Sequence, residues 1–439
     1  MRTDKSESEK TPFKEKVKVV PKNILFPFIL LTSCFAWWGL ANNMTDTLLA
    51  AFKRILSMTD FQTSWIQIAF YGSYFCLALP AAIFIKKFSY KSGVLLGLGL
   101  FIFGALLFYP ASITMNYFHF LAALYILAGG LSILETSTNP YIIAMGPEET
   151  GTRRLNFAQS FNPIGSILGV VLSQVFILSQ LNSASAEERL AMNPEQLNKI
   201  QSAELSAVMG PYVAVAFVLV LIWIAIAVLK MPKSSDSNES LNLIPTFKRL
   251  LKNRHYVWGV IAQFFYVGAQ IGIWSFTIRY VMQELNYNEE NAATYYTASL
   301  VLFTVFRFIC TWLMKYLTPR LLLSLLSGLA ILLSVVVIFA GGMTGVYALI
   351  GLSGCMSLMF PTIFGLAVRG LGEDTKIGGS GLIMAILGGA LLTALQGFVS
   401  DTFQSINYAY IIPLLCFVVI LFYGLVESQK DIKVQSEQI

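Results

Sequence analysis

Asp46 and Glu135 are carboxylates set inside long apolar stretches, each with amides or hydroxyls at helical spacing. A charge at mid-bilayer costs roughly 2.5–3.5 kcal/mol on insertion scales, so such a residue has a partner or a task. No Lys or Arg is embedded in the apolar runs of the N-terminal half that hold them. Exclusion of water then favours the neutral acid, and a group that alternates between neutral and charged forms can carry a proton. Trp38, Asn42 and Asp46 recur at i, i+4 and i+8, with Asn43 three residues before Asp46, so the four share one side of a helix. Glu135, Thr138 and Asn139 make an i, i+3, i+4 patch, followed by Pro140, which is expected to interrupt the hydrogen-bond ladder and expose carbonyls. Asn156, Gln159 and Asn162 follow at intervals of three. An amide both donates and accepts, as a sugar hydroxyl does. A single intramembrane amide is ordinarily interhelical glue; three on one helix, facing two other polar helices, favour a polar cavity.

A second stripe lies in the C-terminal half. Gln263, Tyr266, Gln270 and Trp274 fall at i, i+3, i+7 and i+11, amides and rings on one line that suit hydroxyls and the C–H faces of a pyranose. Interior packing with satisfied amides is the plainer reading of the same pattern. Gln67, Tyr71 and Tyr74 repeat it more weakly. Arg279 lies near an outer helix end and is expected to snorkel. Arg307 lies eight residues before Lys315, about 12 Å from the inner interface at 1.5 Å per residue. It requires a polar partner, and a structural contact is expected over a substrate role. By the same rise Asp46 is about 10 Å from the outer end and Glu135 about 16 Å from the inner end. Glu135 is therefore nearer the midplane, and Asp46 nearer the outer water.

The chain that must position these residues has 439 residues, 56% hydrophobic and 12% charged, about half the charged share of a soluble domain. Twelve apolar runs, near 24–52, 61–85, 92–113, 117–145, 155–181, 207–230, 256–283, 291–314, 321–341, 343–368, 377–400 and 405–427, identify an all-α polytopic membrane protein. Twenty-four of 30 Lys and Arg residues fall in the segments that are cytoplasmic when both termini are inside, and four fall outside. That asymmetry sets the orientation. It also explains the net charge of +6 as topology, with no nucleic-acid partner implied. The first 22 residues carry no cleavable signal pattern, and the first apolar run is expected to remain as a helix. Cys34, Cys76, Cys310, Cys355 and Cys416 fit neither a metal site nor a disulfide framework. His119 and His255 lie at run ends, which leaves the carboxylates as proton carriers.

The organisation expected is a cytoplasmic tail over 1–22, a six-helix bundle over 23–230, a cytoplasmic linker over 231–254, a second six-helix bundle over 255–428 and a tail over 429–439. The linker's later part is basic and amphipathic and should lie along the membrane surface. A faint repeat relates the halves: Pro140 and Pro361, then Ile167-Leu168-Gly169 and Ile386-Leu387-Gly388. Two like-oriented units indicate the parallel duplication of the major facilitator plan. The polar outer loop over 182–206 is expected to hold a short surface helix, with a functional lid as the weaker alternative.

The segments NNMTD around Asp46, LETSTNPY around Glu135, GPEETGTRRLNFAQSFN, VIAQFFYVGAQ, RFICTWL, FPTIFGLAVRGLGEDTK and ILGGALLTALQGFVSD closely resemble the fucose–galactose–glucose:proton symporter family, and within it the L-fucose:proton symporters. The match runs through both halves. It implies alternating access in a bacterial inner membrane and import of L-fucose, or a close monosaccharide, in symport with protons. The family's acids in the first and fourth helices carry over to Asp46 and Glu135. Its cavity residues resemble Asn43, Gln159 and Asn162. Glucose/galactose members resemble this chain less at Glu135, where they carry an amide. In IKKFSYKSG, Ile85 stands where the wider superfamily has an acid, a form the fucose branch shares.

A monomer without a cofactor, using the proton as coupling ion, is expected, with a monosaccharide and the bilayer as partners. A sugar receptor that moves nothing would need an output domain, for which the tails and linker are too short. A drug exporter would fit the Asn162–Gly165 NPIG segment but not an amide-rich cavity. An enzyme is disfavoured because no nucleophile–base pair is present.

Overall fold

The computed structural model describes residues 19–55, 60–177, 180, 182, 188–189, 191–232 and 243–436; within these, the side chains of 42, 45–55, 60–65, 67, 207–208, 289–290 and 427–436 are outside the description. Twelve helical segments among the described residues are long and apolar enough to cross a membrane. In the first half they are α1 (Leu25–Ile55), α2 (Asp60–Lys87), α3 (Tyr90–Thr114), α4 (Tyr117–Ala144), the pair α5 (Gly151–Gln159) and α6 (Asn162–Phe176), and α7 (Pro194–Val228). A short helix α8 (Leu243–Lys252) falls in the connecting segment. The second half comprises α9 (Arg254–Leu285), α10 (Glu289–Leu313), α11 (Pro319–Phe339), the pair α12 (Gly342–Met356) and α13 (Met359–Ala367), the pair α14 (Thr375–Met384) and α15 (Gly388–Phe403), and α16 (Ile406–Ala409) with α17 (Ile411–Ser436). The protein is thus two six-helix bundles.

Short polar loops start these helices with side-chain caps, which satisfy amides the first turn leaves free. Ser89, Asn116, Asn253, Asn288 and Thr318 each accept a hydrogen bond from a backbone N–H two or three residues on. Asn193 does the same for Glu195, with Pro194 at the first helical position, and the helix then runs unbroken for 35 residues. The sixth crossing therefore begins inside the segment expected to be an outer loop. The apolar residues left outside, such as Phe217 and Leu221, face the lipid.

The prolines have different local outcomes in different crossings. α4 continues through Pro140 to Ala144, because one missing N–H costs a single ladder bond and neighbouring helices hold the rest in place. The fifth crossing instead breaks at Ser160–Phe161, where Pro163 stands in the first turn of α6. The tenth breaks at Ser357–Leu358, and the eleventh tightens to a 3-10 turn over Ala385–Leu387.

The repeated Ile-Leu-Gly does the same work in each half. A Cβ on Gly169 of α6 would lie 2.4 Å from the Leu40 carbonyl oxygen of α1; one on Gly388 of α15 would lie 2.1 Å from the Phe264 carbonyl oxygen of α9. In each case a glycine lets the fifth helix of a half lie backbone-to-backbone on the first, the close approach that small residues permit in membranes. Arg154 ties down the inner end of the first half: its Nε donates to the Ile142 carbonyl at 2.7 Å, its Nη1 to the Val19 carbonyl at 2.9 Å, and its Nη2 to the Ile143 carbonyl.

Candidate functional site

Between the halves lies a cavity of about 210 Å³ whose wall combines amides, aromatic rings, a carboxyl and a guanidinium. α1 supplies Trp38 and Asn43, α4 supplies Glu135, and the α5–α6 pair supplies Gln159 and Asn162. From the other half α9 supplies Tyr266, Gln270 and Trp274, and α10 supplies Tyr296, Phe303 and Arg307. The break at Ser160–Phe161 sits between Gln159 and Asn162, so both amides reach the cavity although they lie on separate helices.

Glu135 is 1% exposed, and its Oε2 has no hydrogen-bond partner. Among the described residues no cation lies within ion-pair distance of it. A buried carboxylate in that setting is stable only when protonated, hydrated or engaged by a ligand. Asn139 does not line the cavity but stands behind it: its Oδ1 accepts from Gln159 Nε2 at 2.9 Å, and Gln159 Oε1 accepts from Arg307 Nη2 at 3.2 Å. This chain of polar groups crosses from the first half to the second. Arg307 also lies 5.2 Å from the Phe303 ring centroid, and its Nε is buried without a partner. Trp38 Nε1 and Thr138 Oγ1 are likewise buried and unpartnered. The site thus presents donors and acceptors that no protein group engages.

The rings are fixed more firmly. Trp274 donates from Nε1 to Ser353 Oγ at 3.2 Å and meets Phe303 edge-to-face. Tyr266 donates to the Met356 carbonyl at 3.2 Å, next to the break in the tenth crossing. Asn43 and Asn162 donate to the Gly39 and Phe35 carbonyls, at 3.2 and 3.3 Å.

Of the residues expected in the site, Trp38, Asn43, Glu135, Gln159, Asn162, Tyr266, Gln270 and Trp274 line the cavity, and Asn139 supports it. Gln263 lies one turn below the wall, fully buried, with both amide atoms unpartnered. The side chains of Asn42 and Asp46 lie outside those described, although the backbone of both is helical. Asn156 leaves the stripe and bonds across the halves, its Nδ2 donating to Thr362 Oγ1 at 3.1 Å. Tyr71 and Tyr74, the weaker stripe of α2, also line the cavity, and so do Tyr296 and Phe303, which the sequence reading did not single out. For α10 the signal was available: Tyr296, Phe303 and Arg307 sit at i, i+7 and i+11, and the lone Arg marks that face as inward.

The profile of the Major Facilitator Superfamily matches residues 28–388. The chain belongs to that superfamily. It is 41% identical over 419 residues to the L-fucose-proton symporter of Haemophilus influenzae, a match covering 93% of this chain and 97% of that one. The L-fucose-proton symporter of Escherichia coli K12 is also 41% identical, over 93% of this chain and 94% of its own. A glucose/galactose transporter of Brucella abortus is 32% identical, covering 93% and 96%. Among solved structures, a major facilitator transporter, FucP, in the outward conformation superposes with a TM-score of 0.88 at 41% identity, covering 92% of this chain and 99% of that one. The chain is therefore a multi-pass membrane transporter and not an enzyme, and the major facilitator architecture expected from its span pattern is the one present.

Proposed function

We propose that this protein imports L-fucose, or a closely related monosaccharide, in symport with protons across the bacterial inner membrane by alternating access. One observation carries the reading: a buried carboxyl, Glu135, with no cation partner among the described residues, in the wall of an amide- and ring-lined cavity shared by both halves. The similarity to L-fucose-proton symporters over almost the whole chain supports the same substrate class. Asp46, nearer the outer water, takes the proton first. The sugar then engages Glu135, Asn162, Gln159 and the Tyr266–Gln270–Trp274 face, with Trp38, Asn42, Asn43 and Asn139 completing the polar side and Gln263 below it. With the acids neutral and the sugar bound, the halves rock, and both cargoes leave inside. The cavity is complete within one chain, which supports a monomer, and the proton is the coupling ion with no cofactor.

The test is a sugar panel added to weakly buffered vesicles containing the purified protein. L-fucose should make the external medium more alkaline, with D-glucose and D-galactose giving less than a tenth of that signal. Alkalinisation by glucose or galactose instead would assign a hexose carrier of the same family, and sugar binding without any proton movement would indicate a receptor.

A further inference from the structure

A second, very different cavity of about 490 Å³ opens on the outer surface of the bundles, near the inner membrane face. It is formed by both halves: Phe75 and Leu79 of α2 face Val260 and Phe264 of α9 and Met384 of α14, and α8 closes one end with Phe247 and Leu251. The few polar groups in its wall are already engaged. Ser380 donates to the Ile377 carbonyl at 2.7 Å, and Tyr256 donates to the Gly378 carbonyl at 2.9 Å. Such a groove has nothing to offer a sugar, whereas an alkyl chain needs no polar partner.

The helix at its mouth has three distinct faces. Thr246 and Leu250 are buried against the protein. Ile244 and Leu251, 71% and 73% exposed, continue with Phe247 as an apolar stripe at i, i+3, i+7. Next around the helix come Lys248 and Lys252, one turn apart. Arg249 is committed to Asp374, with contacts of 2.6 and 2.7 Å, but among the described residues Lys248 and Lys252 form no ion pair. An apolar stripe beside a basic one is the pattern of a helix lying in the plane of the interface. The basic loops place that interface on the cytoplasmic side, where anionic lipid attracts Lys and Arg.

We propose that this groove holds an acyl chain of an anionic phospholipid from the inner leaflet, with the headgroup phosphate at Lys248 and Lys252. Charge complementarity selects the anionic headgroup, and the satisfied, apolar wall selects the chain. Because α2 and α14 belong to opposite halves, the bound chain lies at a joint that must change shape when the halves move.

Native mass spectrometry of the full-length detergent-purified protein tests this, with phosphatidylglycerol or phosphatidylcholine added at equal concentration. The wild type should keep a phosphatidylglycerol adduct at least fivefold more than a phosphatidylcholine adduct. The double variant K248Q/K252Q, altered only at exposed side chains, should lose that preference. Val260→Trp, which fills the groove, should lower retention of both lipids. Equal retention of the two lipids by the wild type, or unchanged phosphatidylglycerol retention in both variants, would overturn the proposal. So would adducts that form only after residues 2–17 are deleted, since a segment of the chain would then be the occupant.

Discussion

Glu135 and Arg307 line one cavity wall, yet the arginine is engaged with Gln159 and not with the glutamate. A carboxyl left without a cation is free to respond to protons and ligand, which an ion pair would suppress. Uptake should therefore increase as external pH falls, because protonation neutralises an acid whose buried charge opposes movement. Glu135→Gln fixes the neutral form, so proton-driven accumulation should disappear and sugar binding should lose its pH dependence; normal accumulation at every pH would remove Glu135 from the mechanism. Asp46→Asn should keep sugar binding while losing accumulation, measured as counterflow retained without net uptake. Arg307→Gln removes a hydrogen bond from a charged donor, worth about 1.5–3 kcal/mol. Sugar affinity should fall about tenfold to a hundredfold, read by calorimetric titration, if the guanidinium also contacts the ligand; an unchanged Kd would confine Arg307 to bracing Gln159. These residues differ in how far the sequence exposes them. A lone acid or a run of amides in an apolar helix has few stable explanations, so the first, fourth and fifth helices could be read directly. Arg307 could not be placed that way, because periodicity gives the face of a helix but not what stands opposite. Gln263 shows the complementary limit: it shares the stripe of Tyr266, but the stripe does not say where the cavity floor begins.

At the level of helices, the twelve crossings and the doubled plan follow from hydropathy and basic-residue placement, both long-range averages that tolerate local error. The breaks do not follow. Pro140 is bridged within α4, while the breaks at Ser160–Phe161 and Ser357–Leu358 stand two and three residues before Pro163 and Pro361. Packing against partner helices decides between these outcomes, and a one-dimensional pattern contains no partner. The Ile-Leu-Gly pair was visible as a repeat but not as a contact, since its meaning lies in the opposing carbonyls of Leu40 and Phe264. Gly169→Leu and Gly388→Leu should each force those backbones apart, costing about 1–3 kcal/mol by overpacking. Both variants should unfold at lower temperature in detergent, by similar amounts. A loss confined to one half would mean the two glycines are not equivalent.

The molecule as a whole is held together across its halves at the inner end. Glu148 accepts from the Gly370 N–H at 3.0 Å, Lys376 lies 5.3 Å from the centroid of the Tyr90 ring, and Asn156 bonds to Thr362 at 3.1 Å. The last of these sits two or three residues from the cavity-lining Gln159 of α5 and Phe360 of α13, and about one turn on the other side lie Thr152 and Gly365, which line an inner vestibule of about 630 Å³. That thin layer separates the polar cavity from the vestibule, so the proposed alternating access requires it to part. Gly365 is the residue that lets it close: a Cβ there would lie 2.7 Å from Thr152 Oγ1 and 3.0 Å from its Cα, and the backbone cannot yield as a flexible side chain could. Gly365→Leu should therefore penalise the state closed at the inner end by about 1–3 kcal/mol, moving the population about five- to a hundredfold toward the state open there. Net uptake should fall accordingly. A cysteine placed at Ser166, which lines the polar cavity, should become reactive toward an impermeant reagent supplied from the inside and lose reactivity toward the same reagent outside. Retained uptake with unchanged sidedness of labelling would show that the α5–α13 layer is not the inner barrier.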